Sequence, residues 1–411
     1  MIEYKSGEEL SFMKKSPHSP ECVSSIISRK NMGMNMEFIK NDVYSGELDY
    51  RAFGSMLDHP TQCYKFYWLE AIMNLMLKKY RFSFDEIFDE MIVSAWYTVT
   101  QYHLFLGPMI EGERRDAINR AIDVLIENTS LNENSKPDEI RSVLKEQNYL
   151  VLEYKRKLAK NVPYKLLSSF SSELTKDKGD AYRIEYIQIL NQEIHLPYII
   201  ENGVGIGKYV VLQEEWIPFL MDNYLIIKNW IQYNKIQFLQ MINPGVPGII
   251  NKLDDERNNV RHLERVRDLW NAHIEVSNKE IVDIYTGNKL ESTFDVDHFI
   301  PWSYVAHDEM WNLIPSNASA NRSKSNHLPE WDLYFHKMAN MEYDLYKSVV
   351  EYDSIHKLFE KCYAKNLQSL WAIEELYVKE NTEYEFKHKL EAHMYPLYEA
   401  ARMQGYIEWR I

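Results

Sequence analysis

Apolar residues recur at helical spacing through most of this chain, and that period limits the folds open to it more than any other feature. Phe84, Ile87, Phe88, Met91, Ile92 and Ala95 fall on one stripe of a 3.6-residue repeat, which predicts an amphipathic helix with that face in a core. The run 63–72 is apolar nearly all round, as expected of a helix buried on more than one side. Residues 111–128 and 137–160 read as two more helices, the second announced by Ser135, Pro137 and Asp138. Helical text resumes over about 214–241 and stops at the turn signal Asn243-Pro244-Gly245. A charged helix is predicted over roughly 252–276. Residues 331–411 are helical again, with Trp371, Tyr377 and Trp409 at apolar positions. Residues 1–45 read as loops with short helices, and the alternation over 182–187 predicts a strand.

The helical period breaks near 280–330, and the chemistry concentrates there. Phe294 and Val296 alternate with Asp295 and Asp297, a strand pattern that puts both carboxylates on one face. Two like charges so close favour a cation or strong donors between them. Hard divalent cations such as Mg²⁺ take carboxylate and amide oxygens plus water. His298 follows at the strand end, where it can act as a base near neutral pH. Residues 316–326 are mostly Ser, Asn and Ala, a weak helix that Ser316, Asn317 or Ser319 can cap. Asn321 then lies in an early turn and Lys324 one turn later on the same face. An amide facing two strand carboxylates makes sense if a metal ties them together, with Lys324 and Arg322 turned toward a phosphate backbone.

Composition sets the frame for this motif. A chain of 411 residues with 45% hydrophobic content supports a real core and two or three domains. The organisation expected is a mostly helical region over 1–250, with a sensor, regulatory or oligomerisation role left open. A module with its leading helix over 251–340 and a C-terminal helical region over 341–411 follow. The fold class is mainly α with a small α+β insert. No apolar run reaches about 18 residues, so no membrane span is expected. The first residues, with Glu3, Lys5, Glu8 and Glu9, lack a signal-peptide core. Three scattered cysteines, Cys22, Cys63 and Cys362, suit a reducing cytoplasm and exclude a disulfide framework or a cysteine zinc knuckle. The net charge of −14 argues against coating nucleic acid, and points to a local basic groove or to a partner protein that supplies affinity.

Phe294-Asp295-Val296-Asp297-His298-Phe299-Ile300-Pro301, then Trp311-Asn312-Leu313, then Asn321-Arg322-Ser323-Lys324 together resemble the ββα-metal, or HNH, nuclease family. The likeness is closest to the Asp-His…Asn…Asn form of the HNH domain in RNA-guided CRISPR effectors and related bacterial nucleases. It covers residues 283–328. The resemblance implies a ββα-metal core embedded in the helical body and a one-metal endonuclease acting on DNA with Mg²⁺ or Mn²⁺. It implies Asp297 and Asn321 as metal ligands, Asp295 as an acidic support, and His298 as the general base. Asn312 matches the residue that braces the loop after the catalytic histidine, and Lys324 the basic end of N-x-x-K. Many relatives carry a C-x-x-C zinc knuckle; here the turn reads Ile284-Tyr285-Thr286-Gly287, so no structural zinc is expected and packing must brace the insert.

Other readings stand beside these. By analogy with HNH cores joined to helical extensions, the setting is a bacterial restriction or anti-phage effector, with a homodimer or an activating partner protein open. The rival is an HNH insert that has lost catalysis and binds nucleic acid or a partner; a third reading is an RNA nuclease. Taken alone, Asn312 is equally an ordinary turn residue. His307 and Asp308 read as solvated loop residues, and Asn326 and His327 stay ambiguous. Arg257, Arg261 and Arg265 lie on one predicted helical face, either tracking phosphates or, with Asp254, Glu264 and Asp268 interleaved, forming a salt-bridged surface. The stretch 203–208 lacks the Ser or Thr of a phosphate loop after Lys208 and reads as a flexible turn. The aromatic run 64–68 is core rather than a base-stacking platform.

Overall fold

The computed structural model describes residues 48–108, 116–176, 178–253, 261–277, 280–290 and 293–411. Residues 1–45 and Arg257 therefore lie outside the described residues. Helices dominate, and the residues of the predicted stripe form the inner face of Phe84–Thr100, where Phe84, Ile87, Phe88, Met91, Ile92 and Ala95 are all buried. Ser83 caps this helix, its side chain accepting from the Glu86 amide while Glu86 reaches back to the Ser83 amide, so two orphan donors are satisfied at once. Tyr64–Met76 packs beside it, and Trp68 meets Phe84 and Phe88 at centroid distances of 5.4 and 5.3 Å. The aromatic run is core.

The predicted 137–160 helix is broken into Pro137–Glu146, a short turn and Leu152–Ala159. The predicted strand over 182–187 is a helix, Asp180–Ile194. Its buried positions are Arg183, Ile184, Ile187 and Leu190, a helical period that the short local alternation hides. The strands of the N-terminal half lie elsewhere: β1 (Arg81–Ser83), β2 (Tyr198–Glu201) and β3 (Tyr209–Leu212) form an antiparallel sheet in the order β1-β3-β2. The glycine-rich stretch 203–208 is the β2–β3 connection, closed by a bond from the Gly207 amide to the Val204 carbonyl. A side chain at Gly203 would collide with the Gly207 carbonyl, which accounts for the glycine without a ligand.

Several lysines of this half are internal and paired. Lys155 is buried between Asp85 and Asp89, and Lys235 reaches Glu70 at 2.8 Å. Part of the acidic surplus is thus answered inside the body. No helix among the described residues is long and apolar enough to cross a membrane.

The last third builds the frame around the motif. Glu264–Ser277 packs on Asp353–Asn366 and on Trp331–Glu351, which in turn contacts Glu383–Met403. Within the predicted helix over 252–276, the described residues form the helix Glu264–Ser277, Arg261 lies in the non-helical stretch 261–263 before it, and the Arg265 guanidinium is turned to the Lys361 carbonyl. Arg261 and Arg265 therefore do not share a helical face. Within the frame lies an antiparallel pair, β4 (Asp295–His298) and β5 (Leu313–Ser316), with His298 opposite Leu313 and Asp295 opposite Ser316. The helix Ala318–Lys324 follows directly. β6 (Leu328–Pro329) then pairs in parallel with β7 (Glu408–Trp409).

Glu342 sits in the frame helix with no exposure, and neither carboxyl oxygen has a hydrogen-bond partner. Burial holds its pKa well above the usual carboxylate range. A raised folded pKa means stability present at low pH and lost as pH rises from the unfolded carboxylate value toward the folded one. Glu342→Gln should therefore raise the melting temperature at pH 8 by several degrees and change it little at pH 4. Thermal unfolding at both pH values checks this; an equal effect at both would show that the carboxyl is not strained by ionisation.

Candidate active site

The motif residues converge on β4 and what surrounds it. Asp297 is buried, and its two oxygens are used by different elements. Oδ1 accepts from Lys324 Nζ at 2.9 Å and Oδ2 from the Tyr285 hydroxyl at 2.6 Å. The Lys324 ammonium also donates to the His298 carbonyl at 2.7 Å. Lys324 is 1% exposed, so it does not face a phosphate backbone as its place in the sequence suggests. It points inward because the last turn of the Ala318–Lys324 helix lies against β4, and a buried carboxylate requires a countercharge there. Arg322, two residues earlier, is exposed.

His298 is likewise buried, and its Nε2 lies 2.9 Å from Asp308 Oδ1. Asp308 is no solvated loop residue. It is 7% exposed, and its second oxygen accepts from the His262 amide at 2.6 Å. Burial works to raise the Asp308 pKa, but the bonds from His298 and the His262 amide carry it below the usual carboxylate range. An ionised carboxylate can only accept, so Nε2 carries the proton and Nδ1 keeps the lone pair. Burial lowers the pKa of His298 against the opposing pull of Asp308 and Asp297. The imidazole is therefore neutral at pH 7, the state a general base needs.

The loop that carries Asp308 is fixed from far along the chain. Asn366 donates to the Asp308 and His262 carbonyls, both at 2.8 Å. Glu309 accepts from the Gln368 and Ser369 amides at 2.8 and 3.2 Å. His307 is also largely buried, and desolvation pushes its pKa down to about 4. Asn312 has no exposure; its side chain accepts from the Ile300 amide at 2.8 Å and donates to the Ile300 carbonyl at 2.9 Å. One side chain thus satisfies both backbone groups of a residue two beyond His298.

The turn Asp283-Ile284-Tyr285-Thr286-Gly287 is organised by Asp283. Its Oδ2 accepts from the amide and hydroxyl of Thr286, both at 2.7 Å, and Oδ1 from the Ser316 hydroxyl and Asn317 amide, both at 3.1 Å. A buried carboxylate ties the turn to the end of β5. Gly287, at φ +71°, takes the left-handed geometry that closes the turn. Tyr285, carried by the turn, packs edge-on against Trp409 at 5.2 Å and delivers its hydroxyl to Asp297. Asn317 caps the following helix, accepting from the Ser319 and Ala320 amides.

Asn321 donates to Asp295 Oδ2 at 3.3 Å, which leaves its amide oxygen for another partner. Both residues are partly exposed. Asp295, Asp297 and Asn321 are oxygen donors of the kind a hard divalent cation takes. Among the described residues no three His, Cys, Asp or Glu side chains cluster as a metal site. The donor chemistry therefore fits a cation completed by water, while the charge of Asp297 is answered by Lys324 in this conformation. Arg261 is exposed, lies over the Trp302 ring at 5.6 Å, and is close enough to act electrostatically on His298 and Asp308. His327 turns back, Nδ1 2.9 Å from the Lys324 carbonyl.

Residues 283–330 match the family model described as HNH endonuclease. That segment contains the turn, both strands, the helix and every motif residue described above, and the match assigns it to the HNH family and points to a nuclease. No curated protein and no solved structure matches the chain.

The sequence assigns no site role to Asp308, Asp283 or Tyr285, and Asp308 reads there as a solvated loop residue, whereas the structure buries all three in the site. No spacing marks them, because each meets the motif only through a turn of the tertiary fold. The Asn312 geometry yields a test that separates a brace from a turn residue. Asn312→Ala should cost about 2–4 kcal/mol, because it strands a buried donor and a buried acceptor. Asn312→Asp should also destabilise, since an ionised carboxylate cannot donate to the Ile300 carbonyl. Denaturant unfolding measures both, and losses under about 0.5 kcal/mol, ordinary for a surface site, would rule the brace out.

Proposed function

We propose that this protein is a metal-dependent endonuclease that hydrolyses phosphodiester bonds of DNA. The observation that carries the reading is the buried His298–Asp308 pair, set beside Asp297 inside the segment that matches the HNH family. Asp297 and Asn321, with Asp295 beside them, would hold one Mg²⁺ or Mn²⁺, which supplies charge stabilisation to the phosphoryl group and the departing 3′ oxygen. His298 is neutral because it is buried, and it accepts the proton of the attacking water at Nδ1. Asp308 fixes the ring and its tautomer, and stabilises the imidazolium formed when the proton arrives. Asn312 holds the Ile300 backbone, and with it the chain leaving His298.

Arg261 and Arg322 supply exposed positive charge near the site and are the side chains we assign to DNA phosphates. The net charge of −14 makes such local contacts weak when summed over the molecule, which supports a partner or a second copy that brings the DNA. One active site cuts one strand, so double-strand cleavage needs two protomers or two encounters. A helical body built around an HNH core is consistent with a restriction or anti-phage effector, a setting that rests on analogy.

Purified protein should relax supercoiled plasmid with Mg²⁺ or Mn²⁺ and lose that activity with EDTA. His298→Ala should lower the rate by about 10²–10⁴-fold. Asp308→Asn should lower it by about 10–100-fold. It should also move the acid limb of the pH profile to lower pH, because Asp308 raises the His298 pKa. Equal nicking by wild type and His298→Ala would contradict the reading, and a single-stranded RNA cut faster than the plasmid would redirect it.

A further inference from the structure

We propose that Lys324 is the resting counter-ion of Asp297, and that a divalent cation binds this carboxylate only in exchange for the Lys324 ammonium. The inference rests on the metal-dependent reading above and adds a step to it. The Lys324 ammonium is buried on two acceptors, Asp297 Oδ1 and the His298 carbonyl. The other oxygen of Asp297 is taken by Tyr285. With both Asp297 oxygens engaged, a divalent ion finds no free oxygen there while the ammonium stays, and the two cations repel strongly at contact range where water is scarce. For the cation to bind, the ammonium must swing away, and its flexible stem lets it do so while staying tethered to the helix.

The surroundings give it somewhere to go. Lys324 is the last residue of a seven-residue helix, on a flexible four-carbon stem. Ser325, immediately after it, has φ +47° and ψ −124°, a conformation that a residue with a Cβ holds only when its surroundings enforce it. Ser323 and Ser325, on either side of Lys324, and Arg322 are exposed. A released Lys324 therefore reaches the surface that carries Arg322 and adds a second positive charge there. Cation loading and phosphate attraction become one event: without the cation, the active-site carboxylate is neutralised and the groove is less basic.

The exchange is read by Mn²⁺ affinity measured calorimetrically without DNA. Lys324→Met and Lys324→Gln should bind Mn²⁺ at least tenfold more tightly than wild type, and Asp297→Ala should abolish binding. In wild type, acetylation of the Lys324 amine followed by mass spectrometry should be slow without Mn²⁺ and at least fivefold faster with it. This second measurement decides the matter if the variants do not fold. Unchanged Mn²⁺ affinity in both variants, with binding still dependent on Asp297, would overturn the exchange and leave the metal-dependent reading standing. Lys324 acetylation that ignores bound Mn²⁺ would overturn it in the same way. No Mn²⁺ binding by wild type or either variant would overturn both.

Discussion

Three separate pieces of chain meet at one carboxylate. Asp297 belongs to β4, Tyr285 to the preceding turn and Lys324 to the following helix, and both side chains end on Asp297 oxygens. With burial near complete, removing either donor exposes the carboxylate's charge to a medium that cannot solvate it. The contact therefore sets where the turn and helix sit relative to the strand. Because His298 follows Asp297 directly, it also sets where the imidazole lies. Asp283 secures the same turn to the end of β5. Two buried carboxylates and their donors thus brace this region.

The helical frame positions the imidazole as well as stabilising the fold. The loop that carries Asp308 is held by Asn366, Gln368 and Ser369, and Trp270 donates to the Leu313 carbonyl at 3.1 Å. The imidazole is thus oriented by residues that lie well outside the HNH segment. Burial of His298 and Asp308 follows from this packing; it lowers the pKa of His298, while the bonds from His298 and the His262 amide hold Asp308 low against burial. Separating the module from the C-terminal helices would lose the orientation of the imidazole before it lost the motif.

Much of this was legible in the sequence, for reasons that particular residues make plain. The alternation Phe294-Asp295-Val296-Asp297 gave β4, because strand period and burial agree there. The apolar stripe from Phe84 gave its helix in the same way. Local pattern misled where it was short: 182–187 alternates over too few residues to outweigh the helical burial of Ile184, Ile187 and Leu190. The inward direction of Lys324 is not legible in the sequence, because it depends on which face of the helix meets β4. Asp308 reads as a solvated loop residue because its partners, His262 and Asn366, come from distant parts of the chain.

A crystal structure of the full chain with a DNA duplex and Mn²⁺, read by anomalous scattering, tests the central claim most directly. The account predicts one Mn²⁺ peak bounded by Asp297 and Asn321, a phosphate on the Nδ1 side of His298, and the Asp308 contact to Nε2 retained. A cation and phosphate held elsewhere, with Asp297 still closed by Lys324 and Tyr285, would contradict it.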